Sequence, residues 1–393
     1  MMDSLYIAWK YLTYSKARTA TLVACIVLIA FLPLALEILL NESERQLVSR
    51  AVSTPLVVGA KGSSLDLVMN TIYFGDEVPE AITMNAAERI MESDLALPIP
   101  TYVRFRARNH PIVGTTLDYF EFRGLEVARG EMLTMLGDCL LGATTAERLR
   151  LKPGDSIVSS PDELFNLGGT YPLKMKVVGV LKKSHSPDDL AVFVDLKTAW
   201  VMQGLMHGHV DLSSVTDPQL ILERDDKNIT GSPKVYEYTE ITEDNIDTFH
   251  YHGDPSQAPI TAVIVVPFDE KSGTILRGRF LSGEETLQII EPKETIDTLF
   301  RSIFQIKSVL DAVILVVGAG TIMALILVFA LSLRLRQREI RTIFMIGCRR
   351  MTVARLLAAE ISIVILLSAL ICTVLLIVIG QYDNQMVRTL FIR

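Results

Sequence analysis

The chain has 393 residues, half of them hydrophobic, with a formal net charge of −7 and a mean hydropathy of +0.35. So long and apolar a chain is neither a disordered tail nor an ordinary soluble protein. Its acidity disfavours nucleic acid and anionic lipid as partners.

Residues 1–18 place Leu5, Ala8, Trp9 and Leu12 at helical spacing, which predicts an amphipathic helix lying on the inner membrane surface. Residues 19–40 hold the run Ala20–Leu40, long enough to cross ~30 Å of hydrocarbon. The run is too long for the core of a signal peptide, and no clear small-residue cleavage site follows it. Two further runs, Ala312–Leu333 and Ile361–Gly380, have the same length and character. Domain bounds of 311–333 and 357–380 therefore describe a second and a third transmembrane helix.

Basic residues orient these helices, because Lys and Arg beside a span stay in the cytoplasm. Lys10, Lys16 and Arg18 precede the first, and Arg334, Arg336, Arg338, Arg341, Arg349, Arg350 and Arg355 separate the second from the third. The N-terminus and the loop 334–356 are thus expected inside the cell. Residues 41–310 then form a large insert outside it, holding 26 Lys+Arg against 39 Asp+Glu for a net charge of −13. The tail 381–393 is too short to span and is expected outside.

Within the insert, β-rich runs at 54–60, 100–107, 138–143, 155–160, 171–181, 190–195, 219–223 and 260–268 alternate with helical pieces at 85–93, 144–151, 196–204 and 269–280. Turn residues separate them, which suggests an α+β domain of two subdomains. Polar helices on either side, around 41–52 and 294–312, read as stalks. Of the four cysteines, at 25, 139, 348 and 372, only Cys139 lies in the insert. No disulfide framework is available there, and Cys139 reads as a small core residue.

Two stretches of the insert carry a possible ligand set. MHGHVDLS (206–213) and FHYHGDPS (249–256) both hold His-x-His-x-Asp. On a strand that spacing turns both imidazoles to one face, and imidazole with carboxylate is a common zinc donor set. His207, His209, His250, His252 and Asp254 are the candidate metal ligands, for a non-catalytic Zn²⁺ or Cu²⁺ site. A zinc hydrolase of the His-x-His-x-Asp-His type is excluded, because Leu212 and Pro255 stand where the last histidine is needed. Histidines set in surface loops are the alternative to a metal site. The chain also lacks G-x-x-x-x-G-K-[ST], G-x-S-x-G and H-E-x-x-H, so energy for work across a membrane must come from a partner.

The loop RLRQREIRTIFMIGCRRMTVARLLAAE (334–360) sets Ile340, Ile343 and Phe344 on one helical face, and Gly347 ends that helix. A short amphipathic helix of this kind fits a groove on a cytoplasmic protein. The loop resembles that of the MacB/LolC/FtsX family of ABC transporter permeases in Arg338-Glu339-Ile340, Gly347, the basic pair Arg349-Arg350, and Glu360 at the mouth of the third span. A second likeness lies in the insert, where a helix leads to the turn Leu151-Lys152-Pro153-Gly154-Asp155 and a following strand.

The resemblance implies a non-catalytic permease subunit that works with a separate ABC ATPase binding ATP-Mg, paired with a second permease copy or a paralogue. Arg338, Glu339, Ile340, Ile343, Phe344, Gly347, Arg349 and Arg350 would form the ATPase-coupling helix, and a periplasmic adaptor or lipoprotein is a further implied partner. The implied place is the bacterial inner membrane. The implied work is mechanotransmission, moving the outer domain to export or extract a lipid, lipoprotein or hydrophobic substrate. Regulation of an extracytoplasmic enzyme and a part in zinc transport are the alternatives. Family permeases usually have a fourth span, whereas only QYDNQMVRTLFIR follows the third run in this sequence.

Overall fold

The structure is a computed structural model that describes residues 2–160, 172–208, 221–224, 229–231, 239–251, 253–280, 286–335, 337, 341–342, 345 and 350–391. It divides into two compact units, residues 1–45 with 299–391, and residues 46–298.

The first unit is helical. Met2–Tyr14 and Lys16–Val52 meet at a bend of 98° between Leu5–Tyr14 and Thr19–Ala35. The Thr19 hydroxyl bridges that bend, within reach of the carbonyls of Leu12 at 3.0 Å and Ser15 at 3.1 Å. Leu12, Leu22 and Val23 pack with Val364 of the helix Arg350–Phe391.

Among the described residues, Met351–Val378 alone is long and apolar enough to cross a membrane by itself, and the bent pair passes only as one span. The second expected span, 311–333, falls within the continuous helix Pro292–Leu335, of which Asp311–Gly320 forms an apolar stretch. Among the described residues, one helix, or two with the bent pair taken as one, is long and apolar enough to cross a membrane, against the three expected. The tail expected after residue 380 instead continues one helix to Phe391, since QYDNQMVRTLF contains neither proline nor glycine to end it.

The second unit is α+β. Its ten-stranded mixed sheet runs Leu287–Ile290, Leu56–Ala60, Ala262–Pro267, Ala96–Ala107, His110–Thr115, Val192–Asp195, Asp138–Leu141, Lys174–Leu181 and Val127–Gly130, with Ser156–Val158 also paired to Lys174–Leu181. The two expected subdomains are therefore joined by one sheet. The hairpin between Ala96–Ala107 and His110–Thr115 turns on Arg108 and Asn109, both at positive φ (46° and 68°). This is the backbone that suits the right-handed twist of the strands.

Parallel pairing of His110–Thr115 with Val192–Asp195, and of Asp138–Leu141 with Lys174–Leu181, needs the intervening segments to cross over. That is why β-branched and aliphatic residues fill these central strands: Ile112, Val113, Leu140, Leu141, Val177, Val192 and Val194 are all buried. The turn 151–155 closes as the sequence suggests. Asp155 accepts the Lys152 backbone N–H at 2.8 Å, and Gly154 takes φ +97°. Cys139 lies in the core with no exposed surface, and burial pushes its thiol pKa up.

Candidate functional site

The last turns of helix Lys16–Val52 belong to the second unit and carry a buried polar cluster. Arg50 lies 7% exposed, so its charge must be met inside the protein. Its Nη1 and Nη2 donate to Asp188 Oδ2 at 2.6 Å and Oδ1 at 2.9 Å, a two-pronged pair. Nη2 also donates to the Tyr119 hydroxyl at 3.0 Å, Nε donates to the Ile72 carbonyl, and Tyr119 donates to Asp188 Oδ1 at 2.7 Å.

Burial alone would raise the Asp188 carboxyl, yet Arg50, with Ser186 and Tyr119, holds it below the usual carboxylate range. Burial would likewise lower the Arg50 guanidinium, but Asp188 and Tyr119 hold it above its ordinary value. The Tyr119 phenol is raised, first by burial and then by Asp188. The floor beneath is aromatic: Phe193 lies 6.2 Å from Phe74, 5.7 Å from Tyr119 and 5.4 Å from Phe120.

Two neighbours tighten this anchor. The Tyr73 hydroxyl donates to the Leu47 carbonyl, and Arg123 donates to Ser53 Oγ at 3.2 Å and Thr54 Oγ1 at 2.8 Å. On the other side, Asp188 sits in a loop that is itself cross-braced. Asp189 accepts the Ser184 and His185 backbone amides at 2.8 and 2.9 Å.

Behind that loop, His110 Nδ1 lies 3.0 Å from both the Leu190 carbonyl and Thr145 Oγ1. The carbonyl only accepts, so Nδ1 carries the proton. Burial lowers the His110 pKa; the bond to Leu190 opposes this, while Arg148 and Arg106 add to it. In the unfolded chain the same imidazole titrates at about 6.5. Its folded pKa being depressed, its contribution to stability is complete above about pH 6.5 and is lost as pH falls toward the folded value. His110→Asn, which keeps a donor near Nδ1, is expected to flatten the decline in unfolding midpoint between pH 7.5 and 5.5. An unchanged slope would assign that decline to other groups.

The residues singled out in the sequence fare differently. Arg338, Glu339, Ile340, Ile343, Phe344, Gly347 and Arg349 lie outside the described residues, and Arg350 begins the helix that runs to Phe391. His209 and His252 also lie outside them.

His207 and His250 do come together. Strands Met206–Gly208 and Phe249–Tyr251 pair antiparallel with these two residues directly opposite, and their ring centroids are 5.2 Å apart. Asp254 is engaged elsewhere, since its carboxylate accepts the Ser256 backbone amide at 2.9 Å and caps a short 3₁₀ turn. That bond holds its carboxyl pKa down. Among the described residues no three His, Cys, Asp or Glu side chains gather as a metal cluster.

The anchor itself was not singled out from the sequence. Its only local signal is the pair of adjacent acids Asp188-Asp189 after Ser186-Pro187.

The family profile for the MacB-like periplasmic core domain matches residues 27–224. The chain is also similar to the crystallised periplasmic region of MacB from Actinobacillus actinomycetemcomitans, at 13% identity and TM-score 0.34, covering 64% of this chain and 92% of that one. The extracellular domain of the noncanonic ABC-type transporter YknZ from Gram-positive bacteria matches at 12% identity and TM-score 0.33, covering 60% of this chain and 98% of that one. A search of curated proteins finds no match.

Proposed function

The chain belongs to the MacB/FtsX-like family of ABC transporter permeases, and from that premise we propose that it is a three-span, dimeric inner-membrane subunit. In this reading it converts ATP hydrolysis by a separate subunit into movement of its outer domain. The loop 334–356 receives the ATPase through Glu339, Gly347 and the arginines around them, and the N-terminus lies on the same side of the membrane. The domain acts on a lipid, lipoprotein or other hydrophobic substrate, alone or with a periplasmic adaptor.

The observation that carries this reading is the buried anchor. The helix Lys16–Val52 begins in the apolar unit, and its last turns are bonded into the α+β unit through Arg50, Asp188 and Tyr119. A bonded anchor of this kind would pass a displacement of the helix end into the sheet. A passive tether would need no buried charge pair, whose desolvation is expensive.

The test is reconstitution with the cognate ATPase. Glu339→Lys reverses a charge where the partner is expected to dock, and Gly347→Pro replaces the glycine expected to end the short helix. Each is expected to leave the protein in the membrane while stimulated ATP hydrolysis falls at least tenfold. Stimulation at the parental level in both would overturn the coupling assignment.

A further inference from the structure

We propose that the ribbon formed by Met206–Gly208 and Phe249–Tyr251 binds a divalent transition-metal ion between His207 and His250. The inference stands on this ribbon alone, independently of the transport reading.

Three observations meet here. The antiparallel register sets His207 directly opposite His250, so both side chains project from one face of the ribbon. Their ring centroids lie 5.2 Å apart with planes at 67°. Two imidazoles on one tetrahedral ion, with metal–nitrogen bonds of ~2.0–2.1 Å, bring their centroids to about 5 Å. The present centroid spacing is thus within the range that a shared ion requires.

The third observation is the tautomer. His250 Nδ1 lies 2.9 Å from the Thr248 carbonyl, which can only accept, so Nδ1 is the donor in that bond and Nε2 the nitrogen that would bind an ion. Metal-binding histidines are held in this way, with the far ring N–H given to a backbone carbonyl that fixes ring orientation and raises ligand basicity.

The ribbon also has few ways to rearrange around the pair. A Cβ added to Gly208 would stand 2.6 Å from Thr248 Oγ1 and 2.7 Å from the Phe249 ring. Gly208 thus brings the strand bearing His207 close against the side chains flanking His250. Two nitrogen ligands with the remaining positions open to water make a site of modest affinity. The general order for nitrogen donors favours Cu²⁺ over Zn²⁺, with the two rings relaxing from the tetrahedral spacing to the tetragonal one that Cu²⁺ takes.

The experiment is a titration of the purified full chain in detergent with Cu²⁺ and, separately, Zn²⁺, in a non-coordinating buffer. One ion per chain is expected, with Cu²⁺ the tighter, and its electron paramagnetic resonance spectrum should carry hyperfine lines from two imidazole nitrogens. His207→Gln and His250→Gln are each expected to weaken binding at least tenfold and to remove one nitrogen from the spectrum.

His185→Gln, at an exposed histidine elsewhere, should change nothing. His207 is half-buried and His250 exposed, so circular dichroism should show both variants folded. The proposal is overturned if no saturable binding is found, or if the double variant His207→Gln/His250→Gln binds as the parent does.

Discussion

Asp188→Ala is expected to lower the thermal unfolding midpoint of the full chain in detergent by on the order of 10 °C. The carboxylate is 2% exposed and meets Arg50 through two bonds, with Tyr119 and Ser186 completing its shell. Removing it strands a guanidinium in the interior, and a buried pair broken on one side costs about 3–5 kcal/mol. At the scaling for a unit of this size, that cost gives the stated shift.

The complementary experiment removes every charge. Arg50→Met, Tyr119→Phe and Asp188→Leu together leave no unpaired charge in the cluster, although the Ile72 carbonyl and the Ser186 hydroxyl lose these partners, and such replacements are often neutral or stabilising. The triple variant should recover most of the lost midpoint. If it is as unstable as Asp188→Ala, the cluster contributes through shape rather than charge.

The same pair sets an acid limit. Asp188 has its pKa lowered in the fold. Its contribution is therefore complete above the ordinary carboxylate value of about 3.9 and disappears as pH falls through the folded value.

Gly142→Ala should be nearly as damaging, for a different reason. Its backbone is extended at φ −61° and ψ 150°, which alanine adopts freely, so the difficulty is one of space. A Cβ there would lie 2.2 Å from the Asp188 carbonyl oxygen and 2.5 Å from the Asp189 carbonyl carbon. Backbone cannot rotate away as a side-chain tip can. The segment carrying Asp188 must therefore move, although Gly142 N–H is bonded to the Ala191 carbonyl at 2.9 Å.

Overpacking of this kind costs about 3 kcal/mol. Part of that cost is the misplacement of Asp188 relative to Arg50, so Gly142→Ala should be milder in the triple variant, by the coupling typical of neighbouring residues. Equal penalties in the two backgrounds would mean that the glycine and the anchor are independent.

The sequence was most informative where a signal is local. The runs at 54–60, 138–143 and 260–268 become the strands Leu56–Ala60, Asp138–Leu141 and Ala262–Pro267, because their apolar residues are contiguous and bounded by turn residues. His110–Thr115 escaped notice since Pro111 and Gly114 weaken its β character. It is stable because it is paired on both sides, with Ala96–Ala107 and Val192–Asp195. The helix Ser64–Tyr73 was missed as well, although Ser63 caps it by accepting the Asp66 amide.

The anchor is illegible for a more basic reason. Arg50 finds Tyr119 69 residues on and Asp188 138 residues on, and no periodicity links positions so far apart. His207 and His250 were visible as a repeated motif, but that they stand opposite one another is a matter of register, which the two short strands set only in the fold.

The bonds around residues 47–54 also constrain twist. Tyr73 holds the Leu47 carbonyl, Asp188, Tyr119 and Ile72 hold the Arg50 side chain, and Arg123 holds Ser53 and Thr54. These partners approach the helix end at successive heights, and hydrogen bonds are directional, unlike greasy contact, which permits slippage. Turning the helix about its own axis would have to break several of them at once. The joint therefore resists torque as well as push and pull, and a swivel applied to this end of the helix would turn the sheet with it.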